Sequence, residues 1–130
     1  LEAHGDLPAP KADYRDGRTR VRFKELPPEE KARLIAKEPA YGRVICRCET
    51  ITEGEILDAL QSEIPAVSID GVKRRCNAGM GRCQGGFCGP RVLELISKTR
   101  GIDPLDVLQD KVGTNVLLCE TKTGRGCNHG

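Results

Sequence analysis

The chain has no tryptophan, only two phenylalanines, two tyrosines and one methionine among its 130 residues. A core built without bulky aromatics must come from Leu, Ile, Val and Ala, and it will be small. A small core often needs a cross-link, and a metal site is one way to supply it. No apolar run approaches the roughly 18–20 residues of a membrane-spanning helix. The formal charge of +2 is too close to zero to imply nucleic acid. Basic residues also occur without interleaved aromatics, so no nucleic-acid partner is expected. No secretory signal is seen. A reducing, cytoplasmic setting is therefore expected, peripheral to the inner face of a membrane only through partners. The length suits one domain, and the start at Leu1 without Met suggests a processed or excised piece.

What the chain does have is cysteine, seven in all. An odd number fits a pure disulfide framework badly. In a reducing compartment thiols bind metal more often than they pair. Four of the seven form two tight pairs, Cys46-Arg47-Cys48 and Cys83-x₄-Cys88, with 34 residues (49 through 82) between them.

Residues 1–25 have no sustained period of 2 or 3.6 and read as an irregular lead-in. "LPPEEKARLIAKEP" predicts a short helix. Pro28 is in its first turn, Glu29 and Glu30 lie at its positive end, Leu34 and Ile35 are its apolar contacts, and Pro39 closes it. "YGRVICRC" is a candidate extended segment. Thr52 with Glu55 three residues on is a capping box, and Ile56, Leu57 and Leu60 then share one helix face. "SIDGVKRRCN" predicts another helix, with Ile69, Val72 and Cys76 inward. "AGMGRCQGGFCG" carries five glycines in twelve residues and must be a tight loop. Pro90 then opens a helix with Val92, Leu93 and Ile96 inward, ending at Gly101. Asp103 and Pro104 start a last turn, and "NVLLCET" is a candidate strand with "RVIC" as its partner. The expected fold class is mainly α. It has a lead-in at 1–40, a helical metal-binding domain at 41–110, a strand-like C-terminal segment at 111–130, and one short strand pair. "KTGRGCNHG" reads as a mobile tail.

Each cysteine pair sits at a junction leading into a helix. Two such junctions packed together bring four sulfurs into one place. Gly79, Gly81, Gly85, Gly86 and Gly89 let the backbone approach closely, and loop N–H groups can then donate to sulfur. Zinc takes four thiolates too, usually with C-x₂₋₄-C on both sides. The tighter C-x-C and the long glycine loop suit a larger object, a [2Fe–2S] cluster. A structural zinc-binding interaction module remains the alternative, and an iron or sulfur delivery protein a third.

The spacing departs from the plant-type and bacterial ferredoxin runs. "VICRCETITEGEI" and "GVKRRCNAGMGRCQGGFCGPRVLELI" together resemble the bacterioferritin-associated-ferredoxin-like [2Fe–2S] domain. They are most similar to the version at the C-terminus of FAD-dependent oxidoreductases, in particular the large subunit of anaerobic glycerol-3-phosphate dehydrogenase, and its relatives. "FKELPPEEKARLIAKEPAYG" resembles the segment that joins flavin and cluster domains there. The resemblance covers residues 41 to about 110 and implies a small helical fold with Cys46, Cys48, Cys83 and Cys88 as cluster ligands. It implies a relay that passes single electrons from a flavin to a downstream acceptor. FAD is expected in a partner domain or subunit, because no G-x-G-x-x-G opens a helix here. Gly79-Met80-Gly81 is followed by Gln84 where the third glycine would stand.

The remaining candidates carry less. Cys76 reads as a small apolar residue on a helix face, Cys119 as a buried thiol, and Cys127 beside His129 as tail residues; His4 earns no role. Lys73, Arg74, Arg75, Arg43, Arg47, Arg82 and Arg91 make the cluster end basic, which favours a more reduced cluster and an acidic partner. Glu49 reads as a surface or supporting residue with nothing to pair with it. No catalytic set is visible, so the chain by itself is expected to be non-catalytic.

Overall fold

A computed structural model describes Asp13 and residues 20–122. His4, Cys127, His129 and the expected mobile tail from 123 onward lie outside these residues. The architecture is mainly α. Four helices, α1 (Pro28–Lys37), α2 (Glu53–Gln61), α3 (Ile69–Cys76) and α4 (Gly89–Arg100), surround one two-stranded antiparallel ribbon of β1 (Val44–Cys46) and β2 (Ile51–Thr52). Single 3₁₀ turns occupy Phe23–Glu25, Pro39–Gly42 and Pro104–Asp106.

The core lies where α2, α3 and α4 meet. Ile56, Val72, Ile96 and Val107 are fully buried, with Leu60, Val92, Leu93 and Leu95 around them. Each such aliphatic side chain contributes roughly 1.5–3 kcal/mol on burial. Cys46, Cys76 and Cys88 belong to the same cluster of buried residues, so the aliphatic core runs directly beneath the thiols.

Local chemistry explains the helix ends. Thr52 caps α2 and accepts from the Glu55 N–H, while the Glu55 carboxylate accepts from the Thr52 N–H at 2.8 Å. The same carboxylate accepts from the Phe23 N–H at 3.1 Å, tying the lead-in to α2. Ser68 caps α3, and Asn77 ends it in the left-handed conformation. Gly101 ends α4 at φ +64°, where glycine carries no steric cost.

Three expectations differ in detail. Residues 23–25 form a 3₁₀ turn, and Phe23 is buried with its ring stacked on Tyr41 at 6.3 Å. Leu34 is only half-buried and Ile35 is exposed, so α1 rests on its neighbours without a buried residue. "NVLLCET" is no strand. β1 takes its partner from residues 51 and 52, in the register Val44 to Thr52 and Cys46 to Ile51 with a bulge between. The turn between them is short, so closing this hairpin costs little entropy compared with pairing across some 70 residues. Beyond it, Leu108 makes isolated bridges to Ser68 and Asn115, and Val116, Leu117 and Leu118 stay exposed.

Glu55 joins the cap of α2 to the lead-in. Glu55→Ala is therefore expected to lower stability by about 1–3 kcal/mol, read as a lower denaturation midpoint in urea with an unchanged slope.

Candidate metal centre

Cys46 ends β1 and is buried, while Cys48 sits in the exposed turn that follows. Cys88 is the N-cap of α4 and is buried; Cys83 lies in the glycine loop before it and is half-exposed. The fold brings all four to one end. The Cys48 thiol donates to Cys83 Sγ across 3.6 Å, and Cys46 and Cys88, both buried, lie near enough for Cys46 to raise the Cys88 thiol. Cys88 also feels the charge of Cys83. The result is an outer pair, Cys48 with Cys83, and an inner pair, Cys46 with Cys88. Among the described residues, no three His, Cys, Asp or Glu side chains converge on the position of one ion.

Two close approaches set this arrangement. A Cβ built on Gly81 falls 2.3 Å from Cys48 Cβ, so any side chain there collides with the opposite loop. Gln84 and Gly85 both take positive φ, +47° and +86°, which turns successive backbone N–H groups inward. The N–H of Phe87, then the Cys48 thiol, then the N–H groups of Gly85 and Gly86 hold the Cys83 thiol below its ordinary pKa. Burial, followed by the neighbouring Cys46, pushes Cys88 up to about 11. Cys76 is also pushed up to about 11, chiefly by burial, and its sulfur bonds to the Val72 carbonyl at 3.4 Å. It remains an aliphatic-like core residue, as its position on the inner face of α3 implies.

Other expectations are revised. Cys119 is disulfide-bonded and only half-buried, so it is not the buried free thiol that its apolar neighbours suggest. Nothing in an isolated apolar run signals a cystine, since pairing depends on a second chain segment. Glu49 does have a partner, Lys24 at 3.6 Å. Much of the basic cluster is neutralised locally. Arg43 makes two 2.8 Å bonds to Glu53, Arg91 contacts Glu53 and Glu94, and Arg74 pairs with Asp110. Arg75 donates to the carbonyls of Ile64 and Gly71. The Arg43 guanidinium holds the nearly buried Glu53 carboxylate below the usual carboxylate range. Arg47 and Arg82 have no acidic partner among the described residues.

Residues 44–98 match the family of BFD-like [2Fe-2S] binding domains. A glycerol 3-phosphate dehydrogenase of Caloramator mitchellensis is 46% identical over 102 residues, 78% of this chain and 21% of that protein. An opine oxidase subunit of Rhizobium meliloti is 39% identical over 64 residues, 49% of this chain and 12% of that protein. An anaerobic glycerol-3-phosphate dehydrogenase subunit of Haemophilus influenzae is 33% identical over 66 residues, 51% of this chain and 12% of that protein. The chain thus spans no more than about a fifth of the length of these relatives. No solved structure matches it.

The thiols differ enough to be ranked chemically. In metal-free protein at pH 8, iodoacetamide is expected to label Cys83 at least about tenfold faster than Cys76 or Cys88, because thiolate fraction outweighs the lower nucleophilicity of an acidic thiol. Peptide mass spectrometry against time gives the order.

Proposed function

Residues 44–98 of this chain belong to the BFD-like [2Fe-2S] binding domains, and from that premise we propose that Cys46, Cys48, Cys83 and Cys88 hold one [2Fe–2S] cluster for electron transfer. The observation that carries the reading is the 3.6 Å approach of Cys48 to Cys83 beside the two buried thiols Cys46 and Cys88, with the glycine loop pressed against Cys48. Four thiolates are the donor set that such a cluster would take, and these four residues would hold it. A cluster held in this way supplies a carrier that accepts and releases one electron at a time.

The surrounding residues have separate tasks in this reading. The N–H groups of Gly85, Gly86 and Phe87 stabilise negative charge on Cys83. The start of α4, with Cys88 as its cap, presents the positive end of a helix to the inner pair. Both effects favour the more negative, reduced state and so raise the potential. The buried aliphatic side chains below Cys46 and Cys88 keep water from the inner pair.

The electron donor is a flavin, FAD, carried by another domain or subunit of an oxidoreductase, and the electrons leave to a downstream acceptor. Relatives named for glycerol 3-phosphate and opine oxidation support a parent enzyme that oxidises a small substrate. Glycerol 3-phosphate comes first, with amino or hydroxy acids as alternatives. Among the described residues no helix is long and apolar enough to cross a membrane.

Protein purified without air is expected to be brown, to contain near two irons and two sulfides per chain, and to bleach with dithionite. Colourless protein with one zinc, unchanged after anaerobic reconstitution, sinks this reading in favour of a structural zinc module. Cys83→Ser and Cys88→Ser should each abolish or greatly weaken the visible bands.

A separate variant tests the close approach of the two loops. Gly81→Ala is expected to reduce iron retained after gel filtration several-fold while far-UV circular dichroism stays near wild type, since the clash is confined to Cys48. Full retention of iron in this variant would show that the loops need not touch.

A further inference from the structure

Arg47 precedes Cys48 and Arg82 precedes Cys83, and the two thiols lie 3.6 Å apart. The Gly81 to Cys48 contact presses the same two loops together. Both arginines are exposed, and neither has an acidic partner among the described residues, whereas Arg43, Arg74 and Arg91 are all engaged. Two large apolar side chains stand at the same end. Met80, beside Gly81, is 51% exposed, and Phe87, whose N–H faces Cys83 Sγ, is 88% exposed. The chain has only two phenylalanines, and Phe23 is buried. Leaving the other one in water directly beside the thiols stabilises nothing in the isolated fold.

We propose that Phe87 and Met80, flanked by Arg47 and Arg82, form a docking face for an acidic one-electron acceptor protein, which seats against the outer thiol pair. The face joins an apolar centre to unpaired cations, the composition of a transient interface that is steered by charge and anchored by an aromatic residue. The cations make the partner acidic. A membrane is the less suitable occupant, because lipid-binding clusters usually carry about 4–8 cations and, among the described residues, only Arg47 and Arg82 directly adjoin the outer thiols in sequence without an acidic partner. One electron crosses to the acceptor, with no bond formed or broken and no proton moved. The identity of what crosses rests on the electron-relay reading above; the docking preference itself does not.

Native cytochrome c, which is basic, and succinylated cytochrome c, which is acidic with the same haem, serve as probes. Binding to the full chain is measured at low and high salt, and haem reduction by the dithionite-reduced chain is followed by stopped flow. The acidic form is expected to bind at least tenfold more tightly and to be reduced faster, with the advantage lost at high salt. Arg47→Glu with Arg82→Glu should reverse the preference. Phe87→Ser should weaken binding of the acidic form several-fold while leaving its salt dependence unchanged, because the ring contributes apolar contact and not charge. Equal binding of the two forms, or no effect of the double charge reversal, overturns the proposal. So does binding to phosphatidylserine vesicles that depends on Phe87 without any preference between the two proteins. A chain that keeps the arginine-dependent preference but carries no cluster and reduces neither form supports the docking face and overturns the relay reading alone.

Discussion

A hydrogen atom is all that fits on Gly81, because Cys48 Cβ occupies the space that a side chain would need. This contact joins two positions that are separated by 32 residues (49 through 80), and the gathering of the four thiols depends on it. The β1–β2 hairpin delivers Cys46 and Cys48 from one side. The loop from Ala78 to Cys88 delivers Cys83 and Cys88 from the other. The helices α2 and α3 fill the interval, and their buried faces meet α4 so that the loops cannot drift apart. Packing that serves ordinary stability therefore also sets the distance between the sulfurs.

The polar scaffold around this contact is closely coupled to it. Glu55 is held by Thr52 and by Phe23, and Glu53 beside it is held by Arg43 and Arg91. Both carboxylates begin α2, where negative charge complements the helix dipole. Among the described residues no buried side-chain nitrogen or oxygen lacks a partner. The thiols are the exception to this balance. Burial and then the neighbouring Cys46 raise the cost of ionising Cys88. A bound cation centre would remove that repulsion, and metal binding would add to folding stability in proportion.

The distribution of charge separates structural from available cations. Arg43, Arg74, Arg75 and Arg91 are engaged by neighbouring carboxylates or carbonyls. Two arginines without an acidic partner among the described residues, Arg47 and Arg82, directly precede the outer thiols. Because the paired arginines contribute little field beyond their partners, the positive charge beside the outer thiols comes chiefly from Arg47 and Arg82. A net charge near zero thus coexists with a locally basic face.

Much of this is legible in the sequence itself. Capping residues announce themselves by type and spacing, so Thr52 with Glu55, Asp103 with Pro104, and Gly101 all sit at the helix ends that the sequence implies. The Cys-x-Cys and Cys-x₄-Cys pairs with their glycine loop were equally readable, since backbone proximity to sulfur requires small residues. Periodicity also placed Ile56, Leu60, Val72, Val92, Leu93 and Ile96 in the core. Long-range choices were not readable. Which segment pairs with β1, which arginines find carboxylates, the engagement of Cys119 in a disulfide, and the exposure of Phe87 all depend on neighbours far away in sequence. Local preferences and ligand spacing are properties of short windows and belong to the sequence alone. The division of the four thiols into an outer and an inner pair belongs to the tertiary structure, because only packing between distant elements decides which sulfur meets water and which meets the core.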